Sequence, residues 1–406
     1  MTHYLLAGRV VDADAPDLQT HLAAAHKARQ RPSCLCRGRA APVPMYLARH
    51  GQLVVIKRWP NGGAAHDADC DHYQVPAALS GRGALEETAI KEDEEKGETE
   101  LRVAFSLRKM PGRAPPTGGG ESGDDVKTES AKLTLLATLH YLWDEAGLTR
   151  WTPAMAGKRS WGTVYRYVGH AIAGKRTKGA ALVDAVLLPE PYRAEEKDEH
   201  AKRVKARVAP LGRTKPPQLL LCIGEMKSLE PSRFGMKLLV KHLPEYPFFM
   251  EEDAGAKICK RYAPAFELGE LAEGAHLVAA FTFSVTPTGT CRVERFAMMA
   301  TDKNWLPCES SADLDLTAAL VDGGRRFRKG LRYNLGRDRA LAGVLLSDTV
   351  PATGLFVAPL DVDGNTWREE AVKLAGEAQI DAWVWCPAEE ERPALPPAAA
   401  PGASAA

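Results

Sequence analysis

The sequence predicts an α+β protein with an N-terminal zinc-binding β-hairpin module, a winged-helix-like middle unit and a C-terminal mixed α/β region. Three observations carry that expectation. Cys34, Cys36 and Cys70 bracket a stretch in which apolar and polar residues alternate as they do in strands. Between residues 131 and 174, two runs place apolar residues at helical spacing. From Leu219 onward, short strand-like and helix-like patterns alternate irregularly.

At 406 residues the chain is long enough for several domains, and 45% apolar residues suffice for ordinary cores. A formal charge of +1 sets up no global field toward nucleic acid or membrane, so a charge-driven partner must be met by a local patch. No apolar run approaches the roughly 18 residues that span a bilayer. The opening MTHYLLAGRVVDADAPDLQ lacks a basic stretch followed by an apolar core, so the expected compartment is the cytoplasm, with no membrane partner. Reduced cysteines there favour metal binding over disulfides. Cys222, Cys259, Cys291, Cys308 and Cys386 stand singly and read as small buried hydrophobes.

Residues 1–80 form the expected zinc module. Cys34-Leu-Cys36 precedes PMYLARHGQLVVIKRW, which reads as two strands joined at His50-Gly51. His66-Asp-Ala-Asp-Cys70-Asp-His72 follows, and a hairpin that returns its end near its start would bring the half-sites together. Three thiolates and one imidazole satisfy a structural zinc ion and leave no open position for a catalytic water. His66 is the preferred fourth ligand. His72 is the alternative, because a C-x-C and C-x-H pair resembles SWIM-type fingers, although the 33 residues between Cys36 and Cys70 are many for that class.

Residues 81–130 read as an acidic segment (85–100) and a Pro/Gly/Ser-rich linker from Met110 to Ser130. In residues 131–190, Leu135, Leu139, Leu142, Trp143 and Ala146 share one helical face, and Gly147 suits the position after it. Thr152-Pro153 opens a short second helix and Ser160 a third, on which Trp161, Val164, Tyr165, Val168 and Ile172 align. A strand over 180–188 completes a helix-turn-helix with a wing. No acid occurs from Ala146 to Val183, whereas Arg150, Lys158, Arg159, Arg166, Lys175, Arg176 and Lys178 do. Clustered cations opposite an apolar face are the footprint of phosphate contact, so DNA or RNA is the expected partner. Lys158 and Arg159 would start the recognition helix, and Lys175, Arg176 and Lys178 would form the wing. The competing occupant is an acidic protein segment, with residues 85–100 of this chain as one candidate.

Residues 191–386 form the expected mixed α/β domain. Its LLLCIGEMKS strand ends in Glu225-Met-Lys227, the E-x-K half of a Mg²⁺-dependent nuclease, with Asp184 as partner acid. The GMKLLVKHL that follows reads as another strand, where such a nuclease has a helix. Arg325–Arg339 carries seven cations against one acid and could extend a phosphate-binding surface. Asp361-Val-Asp363-Gly364-Asn365 lacks the glutamate spacing of a calcium loop and reads as a turn. A last strand–helix–strand unit covers Gly354 to Trp385, and the low-complexity tail 387–406 is expected to be disordered.

Several of these segments together resemble the bacterial domain-of-unknown-function family 1173: CLC at 34–36, MYLARHGQ at 45–52, HDADC at 66–70, WTPAMAGKRSWGTVYRYV at 151–168, IGEMKS at 223–228, KHLPEYPFFM at 241–250, NWLP at 304–307 and RFRKGLRYNL at 326–335. The resemblance runs from about Cys34 to Trp385. It implies a protein of plasmids and integrative elements, and it makes His66 part of the HDADC motif. It brings no catalytic residues. The sequence therefore points to a zinc-stabilised, non-catalytic nucleic-acid-binding accessory protein of mobile elements. The alternatives are a Mg²⁺-dependent PD-(D/E)xK-like nuclease built on Asp184, Glu225 and Lys227, and a protein-interaction adaptor.

Overall fold

The computed structural model describes residues 3–50, 53–59, 62–86, 88–93, 97–109, 132–233 and 235–399. The linker Met110–Ser130 and the hairpin turn at Gly51 lie outside the described residues. The chain divides into two compact units: Met1–Arg102 with Ala173–Gly179 and Arg325–Ala406, and Val103–Ile172 with Ala180–Gly324. Neither is continuous in sequence, so the expected serial segments are not the compact units. No helix among the described residues is long and apolar enough to cross a membrane.

The first unit begins with a five-stranded sheet. Strands β1 (His3–Leu6), β2 (Arg9–Asp12), β3 (Ser33–Cys34), β4 (Val43–His50) and β5 (Leu53–Arg58) run in the order β2-β1-β3-β4-β5. The alternation in 44–59 does produce a hairpin, with Met45 opposite Arg58 and His50 opposite Leu53. Helix α1 (Leu18–Lys27) sets Leu22 and Ala25 against Leu6 and Val54. The acidic segment supplies β6 (Ile90–Asp93) and β7 (Glu98–Leu101), and β8 (Lys175–Thr177) adds to β7 in parallel.

In the second unit, α2 (Leu135–Glu145) is capped by the Thr134 hydroxyl, which accepts from the Ala137 amide, and Gly147 follows at positive φ. Helix α3 (Trp161–Ile172) buries Trp161, Val164, Val168 and Ile172. Between them, Pro153–Met155 makes only a single 3₁₀ turn. The expected strand over 180–188 is instead broken by a helical turn, Leu182–Ala185. Arg207 donates to the carbonyls of Val183 and Val186 at that turn, and Val186–Leu187 beyond it pair in parallel with Leu221–Cys222. With two helices, one turn and the wing residues paired to β7, residues 131–190 do not build a winged helix.

The core of this unit is a closed barrel. Strands β9 (Leu220–Ser232), β10 (Gly235–Val240), β11 (Phe248–Met250), β12 (His276–Val285) and β13 (Cys291–Thr301) pair in the circular order β9-β10-β11-β13-β12-β9. All contacts are antiparallel except β11 with β13. Two helices, Glu252–Arg261 and Ala263–Leu271, connect β11 to β12. A five-stranded Greek-key barrel with a helical insertion after its third strand is the OB arrangement. Cys222, Leu238, Val240, Phe248, Phe281 and Phe283 fill its interior.

The first unit resumes with β14 (Phe327–Lys329), β15 (Val344–Leu346), β16 (Thr353–Val357) and β17 (Asp381–Trp385), adjacent in that order. The parallel pair β16–β17 is bridged by helix Gly364–Glu377, whose N-cap is Asp363, so the expected turn at 361–365 is a helix start. The tail is not disordered through residue 399. Its carbonyls at Glu390, Ala394 and Pro396 accept from the indoles of Trp385 and Trp383 and from Arg325, donors that need partners once buried. Of the single cysteines, Cys259 is exposed and the other four are buried.

Candidate metal centre

The site is assembled from a sheet and two loops. Cys34 is fixed inside the sheet, opposite Tyr4 of β1 and Val43 of β4. The chain then turns through Leu35–Gly38, where Gly38 has φ +81° and its amide returns to the Leu35 carbonyl. That turn presents Cys36. The β4–β5 hairpin brings the second half-site back to β3, placing His66 and Cys70 against the first pair.

The ligand atoms of Cys34, Cys36, His66 and Cys70 all lie within 4.8 Å of one another. Sγ of Cys34 is 3.6 Å from Sγ of Cys70. Nδ1 of His66 is 3.5 Å from Sγ of Cys36 and 3.7 Å from Sγ of Cys70. A tetrahedron with bonds of about 2.3 Å to sulfur and about 2.1 Å to nitrogen has edges of about 3.6–3.8 Å. The Cys34–Cys70, Cys36–His66 and Cys70–His66 separations match those edges, and with every pair inside 4.8 Å the four side chains could hold one metal ion.

The surroundings fit an ion as well. Amides of Asp67 and His72 donate to Sγ of Cys36 and Cys70, each at 3.4 Å, which favours thiolates. His66 is buried, its Nδ1 faces the sulfurs, and its Nε2 has no hydrogen-bond partner. The ring is thus hydrogen-bonded from the cluster side, with the His72 ring 5.6 Å away between centres. The thiols are coupled. A hydrogen bond from Cys70 holds the Cys34 thiol below its ordinary range, while the same bond, with burial, pushes Cys70 up to about 12. Burial also pushes Cys36 up. A divalent cation would stabilise all three thiolates together and displace their protons. Four protein donors close the shell, leaving no place for a reactive water.

His72 stands beside the cluster and outside it. Its Nε2 lies 2.6 Å from the Tyr4 hydroxyl, and burial pulls its pKa down to about 4, so it is a neutral partner for that phenol. Desolvation raises the Tyr4 pKa in turn.

The ligand loop is clamped by the basic segment that the sequence nominated for phosphate contact. Arg328 is buried and donates to the carbonyls of Ala68 and Cys70, with its guanidinium 5.5 Å from the Tyr73 ring centre. Arg326 pairs with Asp69 at 2.5 Å, and the Ser347 hydroxyl also donates to Asp69. Arg325 forms a bidentate pair with Asp348 at 2.8 and 2.9 Å. Arg332 donates to the carbonyls of Gly336 and Arg339, and Arg339 pairs with Glu370. These cations serve the fold, a use that counting charges does not reveal.

The cations of 150–178 divide similarly. Lys158 and Arg166 are exposed, Arg166 lying over the adjacent Tyr167 ring. Arg159 turns inward, donating to the carbonyls of Leu148, Arg150 and Asn304, and burial pulls its pKa down to about 10. Arg150 is half-buried. Lys175 is buried against the Thr99 hydroxyl, Arg176 pairs with Glu98 at 3.4 Å, and Lys178 is exposed at positive φ. Part of the basic patch thus meets the acidic segment of its own chain.

Glu225 is buried on the outer side of β9, where one carboxylate oxygen accepts from Lys241 at 2.5 Å and His276 at 2.6 Å. Burial alone would raise this carboxyl, but the two hydrogen bonds outweigh it and hold the pKa below the usual range. His276 stacks on Trp305 with ring centres 3.7 Å apart. Lys227 is exposed, and Asp184 is exposed on the Leu182–Ala185 turn. The partners of Glu225 were missed in the sequence, because Lys241 and His276 lie 16 and 51 residues away.

A family model described as "Protein of unknown function (DUF1173)" matches residues 4–388. The chain matches no curated protein.

Proposed function

Because the chain belongs to the DUF1173 family, we propose a role read from its own geometry: a non-catalytic nucleic-acid-binding protein, stapled by one structural zinc ion. Three sulfurs and one imidazole nitrogen gathered within 4.8 Å of one another suit zinc, a borderline-soft ion with no directional demand of its own. Closed on all sides by protein donors, the ion contributes to folding of the 66–72 loop and takes no part in chemistry.

The observation that carries the nucleic-acid reading is the five-stranded barrel of the second unit, since OB barrels hold oligonucleotides on their outer face. Exposed Lys158 and Arg166 add positive charge to the same unit. Titration of the full chain with labelled single- and double-stranded oligonucleotides, at low and at physiological salt, tests it. Binding should weaken steeply as salt rises, because phosphate contacts release counterions. Affinity that does not change with salt would sink the reading.

A further inference from the structure

We infer that the outer face of the barrel holds single-stranded nucleic acid, with a base stacked on Phe249 and phosphates met by Lys237 and Arg292. This rests on the nucleic-acid-binding reading and names the site and substrate class.

Alternation fixes which residues face outward. Leu238, Val240, Phe248, Met250 and Cys291 point into the barrel core. Their neighbours Lys237, Phe249 and Arg292 therefore point to the outer face. Register aligns them. Lys237 of β10 is directly opposite Phe249 of β11, and Phe249 is directly opposite Arg292 of β13. One aromatic ring thus lies between two cations in a single row across three strands. Directly opposed side chains are about 5 Å apart, within the reach of one nucleotide.

The row has the chemistry of a single-strand site. A half-buried aromatic offers a stacking face that any unpaired base can use, and flanking cations track the phosphates. In a duplex the base faces are already stacked, so Phe249 favours single strands. Each cation has an acidic neighbour: Lys237 is 3.0 Å from Glu230, and Arg292 is 3.2 Å from Glu251. The Arg292–Glu251 pair is solvent-exposed and the Lys237–Glu230 pair partly so, with Lys237 and Glu230 showing 32% and 44% of their side-chain surface, so both hold the cations weakly and can be exchanged for phosphates. The β9–β10 turn adds exposed Arg233, and the loop from Thr286 to Thr290 is held by its own hydroxyls, Thr286 with Thr288. In OB barrels the loops at these two positions frame the oligonucleotide.

The test is fluorescence anisotropy of an end-labelled oligothymidylate of about 12 nucleotides, a length within the range one barrel covers. The full chain is compared with Phe249→Ala, Phe249→Leu and the double variant Lys237→Gln/Arg292→Gln. Each Phe249 variant should bind about ten-fold more weakly or worse, the usual cost of one lost stacking partner. The double variant should reduce the magnitude of the salt slope by about 1.4, or about 0.7 per phosphate contact. Phe249→Leu keeps an apolar strand residue, and its thermal melt checks the fold should Phe249→Ala fail to fold. Unchanged affinity in folded Phe249→Leu, an unchanged slope in the double variant, or equal affinity for a hairpin duplex would each overturn the assignment. Those outcomes leave a protein that still binds nucleic acid elsewhere, whereas a chain that binds neither oligonucleotide refutes the assignment and the general reading together.

Discussion

Replacing Arg328 by alanine should loosen the metal loop without touching a ligand. Arg328 is 6% exposed and bridges two carbonyls of the loop, those of Ala68 and Cys70, while its guanidinium lies 5.5 Å from the Tyr73 ring centre. A hydrogen bond from a charged donor is worth about 1.5–3 kcal/mol, and the ring contact about 0.5–1 kcal/mol. The Ala68 contact is long, at 3.4 Å, and that residue is half-buried, so water can replace part of it. A net loss of about 3 kcal/mol follows, dominated by the charged bond to the Cys70 carbonyl, which would keep only the Tyr73 amide as donor. Support groups around a metal typically change affinity 10- to 100-fold when removed, and a similar loss is expected here. Urea unfolding gives the first quantity, and competition with a chromogenic chelator the second. Arg328→Lys should recover only part of both, since an ammonium cannot fork between two carbonyls. If Arg328→Ala unfolds at the wild-type urea concentration and yields its ion at the same chelator concentration, the clamp is not what holds the loop.

His66→Ala should lose the ion, whereas His72→Ala should keep it and cost about 1 kcal/mol through the Tyr4 hydroxyl; metal content of the two purified variants checks this. For Asp348, burial would raise the carboxyl, but bonds from Arg325 and the Arg326 amide outweigh it and hold its pKa below the ordinary value near 4. The unfolded chain therefore binds that proton first as pH falls, so the pair's stability is present above about pH 4 and is lost below it. Melts of Asp348→Asn across that range should show a shallower acid limb and a loss of about 3 kcal/mol at neutral pH, from leaving Arg325 buried without a countercharge. Arg159→Ala should destabilise by about 2–4 kcal/mol, because three carbonyls lose their donor, while exposed Lys158→Ala should stay within about 0.5 kcal/mol; equal melting of the two would contradict the inward placement.

The features legible in the sequence were those carried by local chemistry. C-x-C and H-x3-C spacings, a hairpin with strict alternation, and the apolar faces of α2 and α3 are each set within about fifteen residues. The strand order of the barrel could not be read, because β11 pairs with β13 across two helices and the whole of β12. Charge was the least reliable guide. The runs at 150–178 and 325–339 were visible, but whether a cation meets a phosphate or a carbonyl depends on what folds against it. Arg159, Lys175, Arg325 and Arg328 meet groups of their own chain. Composition misled in the tail as well. Its alanines and prolines bury little, yet extended backbone offers carbonyls, and Trp383, Trp385 and Arg325 use them. The strand expected at 180–188 survives only at its ends, 180–181 and 186–187, on either side of the Leu182–Ala185 turn.

The closed metal centre is tested most directly by X-ray absorption on the purified full chain, together with its elemental metal content. One zinc per chain is expected, with three sulfurs at about 2.3 Å and one nitrogen at about 2.0–2.1 Å. Metal well below one equivalent, or a shell in which an oxygen replaces one of these donors, would contradict it.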